Sequence, residues 1–161
     1  VVGSQFLAEI KEFDMYKHIL IATDGSDLAN RCVEQGLSLA KALNCDATVA
    51  TVTAPYSSAG IFGGMFDDEA IVDKYDQSWR KYAEKILQNA QDRARKIDLE
   101  VNVLHLVNPI PSDAILKAAD SIGCDLIVVA THGYSGAQRL LLGSQANEIV
   151  TLGKKSVLIV R

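Results

Sequence analysis

The chain lacks a basic excess. Sixteen lysines and arginines face twenty aspartates and glutamates, for a formal net charge of −4. Nucleic-acid backbones and anionic membranes are held largely by clustered lysine and arginine, so neither is expected as a partner. Long apolar runs are also missing, and none approaches the ~18 residues of a membrane helix. Cysteine is sparse: there are three, with no C-x-x-C pair, which argues against a disulfide framework or a zinc cluster. A reducing, cytoplasmic setting is the expectation. What is present is globular in composition. Apolar residues make up 48% and charged residues 22%, against the apolar-poor, strongly charged profile of a disordered chain. A chain of 161 residues is one ordinary domain with a real core.

Signatures of chemistry are missing as well. There is no G-x-x-x-x-G-K-[ST]; Gly153-Lys154-Lys155-Ser156 is a false echo, because position 148 is Glu. No G-x-G-x-x-G follows the first strand, and no kinase or metalloprotease signature occurs. Gly133-Tyr134-Ser135-Gly136 resembles a nucleophile elbow only superficially. All three histidines precede Ser135, so the order Ser, acid, His of the α/β-hydrolases is impossible. An enzyme is therefore not expected.

Residues 1–14 have mixed polarity and lack the basic-then-apolar order of a signal peptide. They are read as an N-terminal extension or an expression remnant, with a short helix over 5–13 as one option. The domain proper spans 15–161. Of the net −4, Glu9, Lys11, Glu12 and Asp14 account for −2, which leaves the domain nearly neutral. From residue 17 on, short apolar runs alternate with helical stripes. Strands are predicted over 18–22, 48–52, 101–106, 125–130 and 156–160. Helices are predicted over 28–43, capped by Ser26 or Asp27, over 71–97, over 112–122 with Ser112 as cap, and over 144–152. In the long second helix, Trp79, Tyr82, Ala83, Ile86, Leu87 and Ala90 are assigned to the inner face. Asn44-Cys45-Asp46 and Gly123-Cys124-Asp125 form an echo, each where a helix hands over to a strand; both cysteines read as apolar fillers.

This alternation requires a mainly parallel sheet with helices on both faces. The expected fold is α/β: one doubly wound, Rossmann-like, five-stranded parallel sheet of order 3-2-1-4-5. Ligands of such sheets bind outside the carboxyl ends of the strands, at the switch point between the first and fourth strands. Three segments reach that crevice: Asp24-Gly25-Ser26, the 53–66 loop and the 131–143 loop. In the last, Gly133 and Gly136 permit close backbone approach, and Gly143-Ser144 opens a helix whose N–H groups suit a phosphate. His132 sits at the crevice, where it either touches a ligand or ties the loop. His18 and His105, on apolar strands, read as satisfied histidines. The acidic run Asp67, Asp68, Glu69, Asp73 and Asp76 reads as helix-end charge and a solvated face, not a metal site.

The sequence from Tyr16 to Arg161 resembles the universal stress protein family. Lys17 to Ser26 matches the family's opening strand and D-G-S turn, and Ser156 to Val160 its last strand. The nucleotide-binding branch carries G-x-x-G, nine residues, then G-[ST]. Here Ala130-x-x-Gly133 is followed by nine residues and then Gly143-Ser144, so the spacing matches with Ala130 in place of the first glycine. At the end of a strand alanine costs little; at a left-handed or ligand-packed position it would interfere. The resemblance implies ATP, or AMP or ADP, with or without Mg, as ligand. It places Asp24 against the adenosine, the backbone of Val52 at the adenine edge, and Ala22 and Thr23 along the base pocket. It places Gly133, Gly143, Ser144 and Gln145 in the phosphate cradle, beside Ala130 and His132. It also implies a homodimer through strand 156–160. The rival is a non-nucleotide member acting as a dimeric interaction module. A third reading, an adenylate-forming enzyme or flavoprotein subunit, lacks the S-G-G-x-D-S loop.

Overall fold

The computed structural model describes residues 15–56, 69–132 and 142–161. The expected 5–13 helix, most of the 53–66 loop, Asp67, Asp68, Gly133 and Gly136 lie outside the described residues.

Five strands form one sheet: β1 (His18–Ala22), β2 (Asp46–Thr53), β3 (Asn102–Val107), β4 (Leu126–Ala130) and β5 (Ser156–Val160). Their order is β3-β2-β1-β4-β5 and every pairing is parallel. Four helices connect them: α1 (Asp27–Leu43), α2 (Glu69–Arg95), α3 (Pro111–Ser121) and α4 (Ser144–Leu152). Side chains alternate across a strand, so β1 feeds two cores. Ile19 and Ile21 pack with Val33, Leu37, Leu87 and Ala90 of α1 and α2. Leu20 packs on the other face with Ile115, Ala118 and Ile149 of α3 and α4. Two layers of helix thus sandwich the sheet, as the alternating pattern predicts.

The α1 boundary falls where its chemistry puts it. Ser26 is the N-cap, and its Oγ accepts from the Ala29 N–H at 3.3 Å. At the other end, Asn44 adopts φ +52. The cysteine echo belongs to a wider pattern. Asn44, Asp98 and Gly123 are all left-handed, at φ +52, +51 and +67. Each donates its N–H three residues back, to Lys41, Arg95 and Asp120. The next residue, Cys45, Leu99 or Cys124, donates five back, to Ala40, Ala94 and Ala119. This is the Schellman closure, used at three of the four handovers from helix to strand at the amino edge of the sheet; α4 instead ends at Gly153, at φ −71. Two further backbone bonds seat the strands there: the N–H of Asp46 donates to Lys17 and that of Asp125 to His18. The Asp125 carboxylate also accepts from the N–H groups of Lys17 and His18, at 2.9 and 3.2 Å.

Two expectations are corrected. Trp79 and Tyr82 are not on the buried face of α2; they are 37% and 40% exposed, and the buried stripe is Ala83, Leu87, Ala90 and Ala94. Length explains it. Twenty-seven residues of helix run about 40 Å, whereas the eight residues of β2 cover about 26 Å. The helix outruns the sheet, and its first half has no core to face. The aromatic residues there pack on one another instead. Tyr56, Tyr75, Trp79 and Tyr82 form an edge-to-face series with centroids 5.4, 6.0 and 5.5 Å apart. Ser112 is not the cap of α3 either. Pro111 takes the first helical position and Ile110 is the N-cap, so Ser112 lies inside the helix, 2% exposed. The remaining boundaries differ from the sequence reading by one or two residues, as helix and strand ends do.

The strand histidines are satisfied. His18 Nε2 meets Thr48 Oγ1 and His105 Nε2 meets Thr53 Oγ1, each at 2.8 Å. Cys32 and Cys124 are fully buried, and burial pushes their thiols up to about 12 and about 11. They are core fillers with little thiolate at neutral pH.

Candidate functional site

A cavity of about 290 Å³ opens at the carboxyl ends of β1, β2 and β4, beneath the first turns of α3 and α4. This is the switch point of the sheet, where the chain leaves β1 toward one face and β4 toward the other. Ala50, Ile115, Val129 and Ile149 make an apolar lining, and polar groups enter from Thr23, Asp24, Ser112, His132 and Gln145. Such a mixture, mostly apolar with a few placed polar groups, is the usual make-up of a small-molecule site. Its volume is near the lower end of the ~300–1,000 Å³ range of ligand pockets, a nucleoside-sized space.

The turn after β1 is held by its own side chains. Thr23 is 7% exposed, and its N–H donates to the Ala50 carbonyl at 2.9 Å. Thr23 Oγ1 accepts from the N–H of Gly25 and Asp24 Oδ1 from that of Ser26, at 3.2 and 3.0 Å. Gly25 has φ +83, a conformation that side chains rarely adopt, and a Cβ there would fall 2.9 Å from Ile86 Cγ1. Asn30 Nδ2 donates to the Gly25 carbonyl, and Tyr82 Oη to that of Asp24 at 3.3 Å. Asp24 is thus both a turn former and a lining residue.

The other rim is the start of α4. Its N-cap is Gly143, at φ −60 and ψ 153, with no side-chain cap. The N–H of Gly143 donates to the Thr131 carbonyl at 2.8 Å, so the start of α4 is fastened to the end of β4. A Cβ on Gly143 would lie 2.7 Å from that carbonyl oxygen. Glycine is needed here for close approach, not for its dihedral angles. The α4 N-terminus, with no side-chain cap among the described residues, offers N–H groups and the positive end of a helix dipole. Among the described lining residues the one formal charge is Asp24. Among the described residues, the groups an anion would meet at this rim are N–H donors.

The first turns of α3 and α4 are joined. The N–H of Ser112 donates to Gln145 Oε1 at 2.8 Å, and Ser112 Oγ donates to Glu148 Oε2. Ser112 is a site residue that sequence reasoning assigned to a cap. The signal was present: proline at the first helical position places the cap immediately before it, at Ile110, two residues ahead of Ser112.

Of the residues named from sequence, Ala22, Thr23, Asp24, Val52, Ala130, His132 and Gln145 line this one cavity. Gly143 and Ser144 are not among the lining residues; they immediately precede Gln145, as N-cap and first residue of α4. Gly133 lies outside the described residues. Ala130 is the last residue of β4, paired with Val160. The described non-glycine residues with positive φ are Asn44 and Asp98, so the backbone at Ala130 does not call for glycine. Ala29, Pro111, Ile115 and Ala146 also line the cavity; nothing in their residue types marked them in advance. Among the described residues no group of three or more His, Cys, Asp or Glu could hold a metal ion. No helix among them is long and apolar enough to cross a membrane.

Comparison with known proteins agrees with this architecture. The model of the universal stress protein family matches residues 15–161. Universal stress protein YxiE of Bacillus subtilis is 30% identical over 149 residues, covering 91% of this chain and all of the relative. A universal stress protein of Thermus aquaticus is 31% identical over 147 residues, with 91% and 100% covered. Among solved structures, a universal stress protein in complex with cAMP superposes with a TM-score of 0.66 at 28% identity, covering 91% of this chain and 97% of that one. Fold, strand order and a family match over 15–161 lead to one conclusion: the chain belongs to the universal stress protein family.

Proposed function

We propose that this protein binds an adenine nucleotide in the switch-point cavity, with ATP, ADP or AMP as ligand, and works as a nucleotide-dependent switch in the stress response. The observation that carries the reading is a nucleoside-sized apolar cavity that ends at a helix N-terminus with no side-chain cap among the described residues. An adenine ring is flat and largely apolar and fits between Ala50, Val52 and Ile115. Asp24 accepts from ribose hydroxyls. Phosphates lie at Gly143 and Ser144, where N–H donors replace lysine and arginine. With a triphosphate, Mg rides on the phosphate oxygens rather than in a protein cage. The cAMP complex of a relative 28% identical to this chain supports an adenine nucleotide as the ligand class. Hydrolysis is proposed to be slow or nil, the site serving to hold the nucleotide.

The acting form is proposed to be a cytoplasmic homodimer paired through β5. That strand is an edge of the sheet, with Leu158 on it 38% exposed. An apolar edge of this kind is an aggregation liability unless paired.

Titration calorimetry with AMP, ADP and ATP, with and without Mg and with GTP as control, tests the reading. One adenine-selective site per chain is expected. A protein that binds none of them, and releases no nucleotide on gentle denaturation followed by mass spectrometry, overturns it and leaves the interaction module.

A further inference from the structure

Resting on that reading, we propose that the side-chain amide of Gln145 is a directional donor to the nucleotide phosphate, held in that orientation by the backbone N–H of Ser112. The orientation follows from hydrogen-bond chemistry. A backbone N–H can only donate, so the Gln145 atom 2.8 Å from it must be the carbonyl oxygen. The amide is planar, so its NH₂ group is turned away from Ser112. Gln145 is exposed and lines the cavity, so this NH₂ is presented at the rim.

What surrounds it selects the ligand atom. Gln145 is the second residue of α4, inside the turn whose N–H groups carry no side-chain cap among the described residues. The side-chain NH₂ therefore joins a set of donors. An acceptor-only group with several oxygens, such as a phosphate, matches a set of donors. The tie to α3 makes the donor rigid. Ser112 is buried at 2% exposure, and its hydroxyl is held by Glu148, one turn along α4 from Gln145. α3 thus grips α4 at two points, and the amide is fixed by one of them. A side chain already immobilised loses less entropy on binding than a free one. Gln145 is in this way a specificity-determining residue, and Ser112 a positioning residue that acts through it.

The test uses Gln145→Glu and Gln145→Met, titrated with AMP and with adenosine. Glutamate keeps an acceptor for the Ser112 N–H but replaces the donor by a negative oxygen. AMP affinity is expected to fall roughly ten- to hundredfold, the range for a lost hydrogen bond to a charged group. Methionine removes the donor without adding charge, and AMP is expected to weaken by roughly tenfold, the low end of the same range. Adenosine affinity should stay within about twofold of the parent in both, since the nucleoside does not reach this donor. Thermal melts establish that each variant is folded, and the methionine variant carries the test if the glutamate one is not. Unchanged AMP affinity in a folded variant overturns the proposal, as does an equal loss for AMP and adenosine. A parent protein that binds neither compound overturns the nucleotide reading itself, which is a different result.

Discussion

Replacing Gly143 by alanine probes the contact on which the site is built. The dihedrals at Gly143, φ −60 and ψ 153, suit alanine, so the backbone is not strained. The cost is steric. The new Cβ would lie 2.7 Å from the Thr131 carbonyl oxygen, against 3.4 Å for an ordinary contact. The start of α4 and the end of β4 must therefore separate by about 0.7 Å, and the Gly143 N–H bond, now 2.8 Å, lengthens toward the limit of hydrogen bonding. Overpacking of this size costs about 1–3 kcal/mol. Each kcal/mol lowers Tm by roughly 2–4 °C in a domain of this length. The first-turn N–H groups of α4 move with the helix. Loss of one aligned phosphate bond weakens AMP or ATP by at least about tenfold. Gly36→Ala is the control. Its Cβ would fall 2.7 Å from Ile21 Cδ1, on the face of the sheet opposite the cavity. It should lower Tm without changing affinity. Calorimetric titration and thermal melts of both variants decide the matter. Parental affinity in Gly143→Ala, with Tm lowered as worked out, would refute the assignment of phosphate to this helix end.

Two further outcomes concern stability. Asp98→Gly should raise stability by roughly 0.5–1 kcal/mol, because glycine takes a left-handed helix end without the Cβ penalty; denaturant midpoints measure it, and a decrease contradicts the closure described at φ +51. His105 has its pKa lowered from the ordinary 6.5 by burial first and by Arg80 second, with Glu84 opposing. A depressed histidine binds fewer protons folded than unfolded, so its contribution is complete above 6.5 and is lost as pH falls through the folded value. Tm measured from pH 7.5 to 5.5 should fall, and His105→Asn should flatten that fall; an equal slope in the variant refutes it.

The architecture was legible because periodicity carries it. The 28–43 stripe has one apolar face, and the short runs of β1 and β4 are too apolar for any strand but a doubly covered one. Strand order then followed from crossover rules, and with it the three segments at the crevice. What stayed hidden depends on lengths and on distant partners. Trp79 and Tyr82 are apolar enough for a core, but whether a core lies beneath them depends on how far α2 outruns the sheet. Asp98 gives no glycine or cysteine signal, yet it closes α2 as Gly123 closes α3. The tie of Ser112 to Gln145 joins residues 33 apart; neither residue type announces it.

The three left-handed helix ends have a consequence for how such a chain can change. All of them, with the Asp125 clamp, lie at the amino edge of the sheet, where β2, β3 and β4 are indexed as they enter. Register is set there, before the chain reaches the cavity. At the carboxyl edge the strand ends are tied as well, the N–H groups of Thr23, Asn108 and Thr131 donating to the carbonyls of Ala50, Thr53 and Val160, and the loops run on beyond those ties. Loops leaving β1, β2 and β4 can lengthen, shorten or exchange residues without shifting a strand. One edge of the sheet is a fixed jig and the other an open workbench, so a lineage can revise its ligand while keeping its fold.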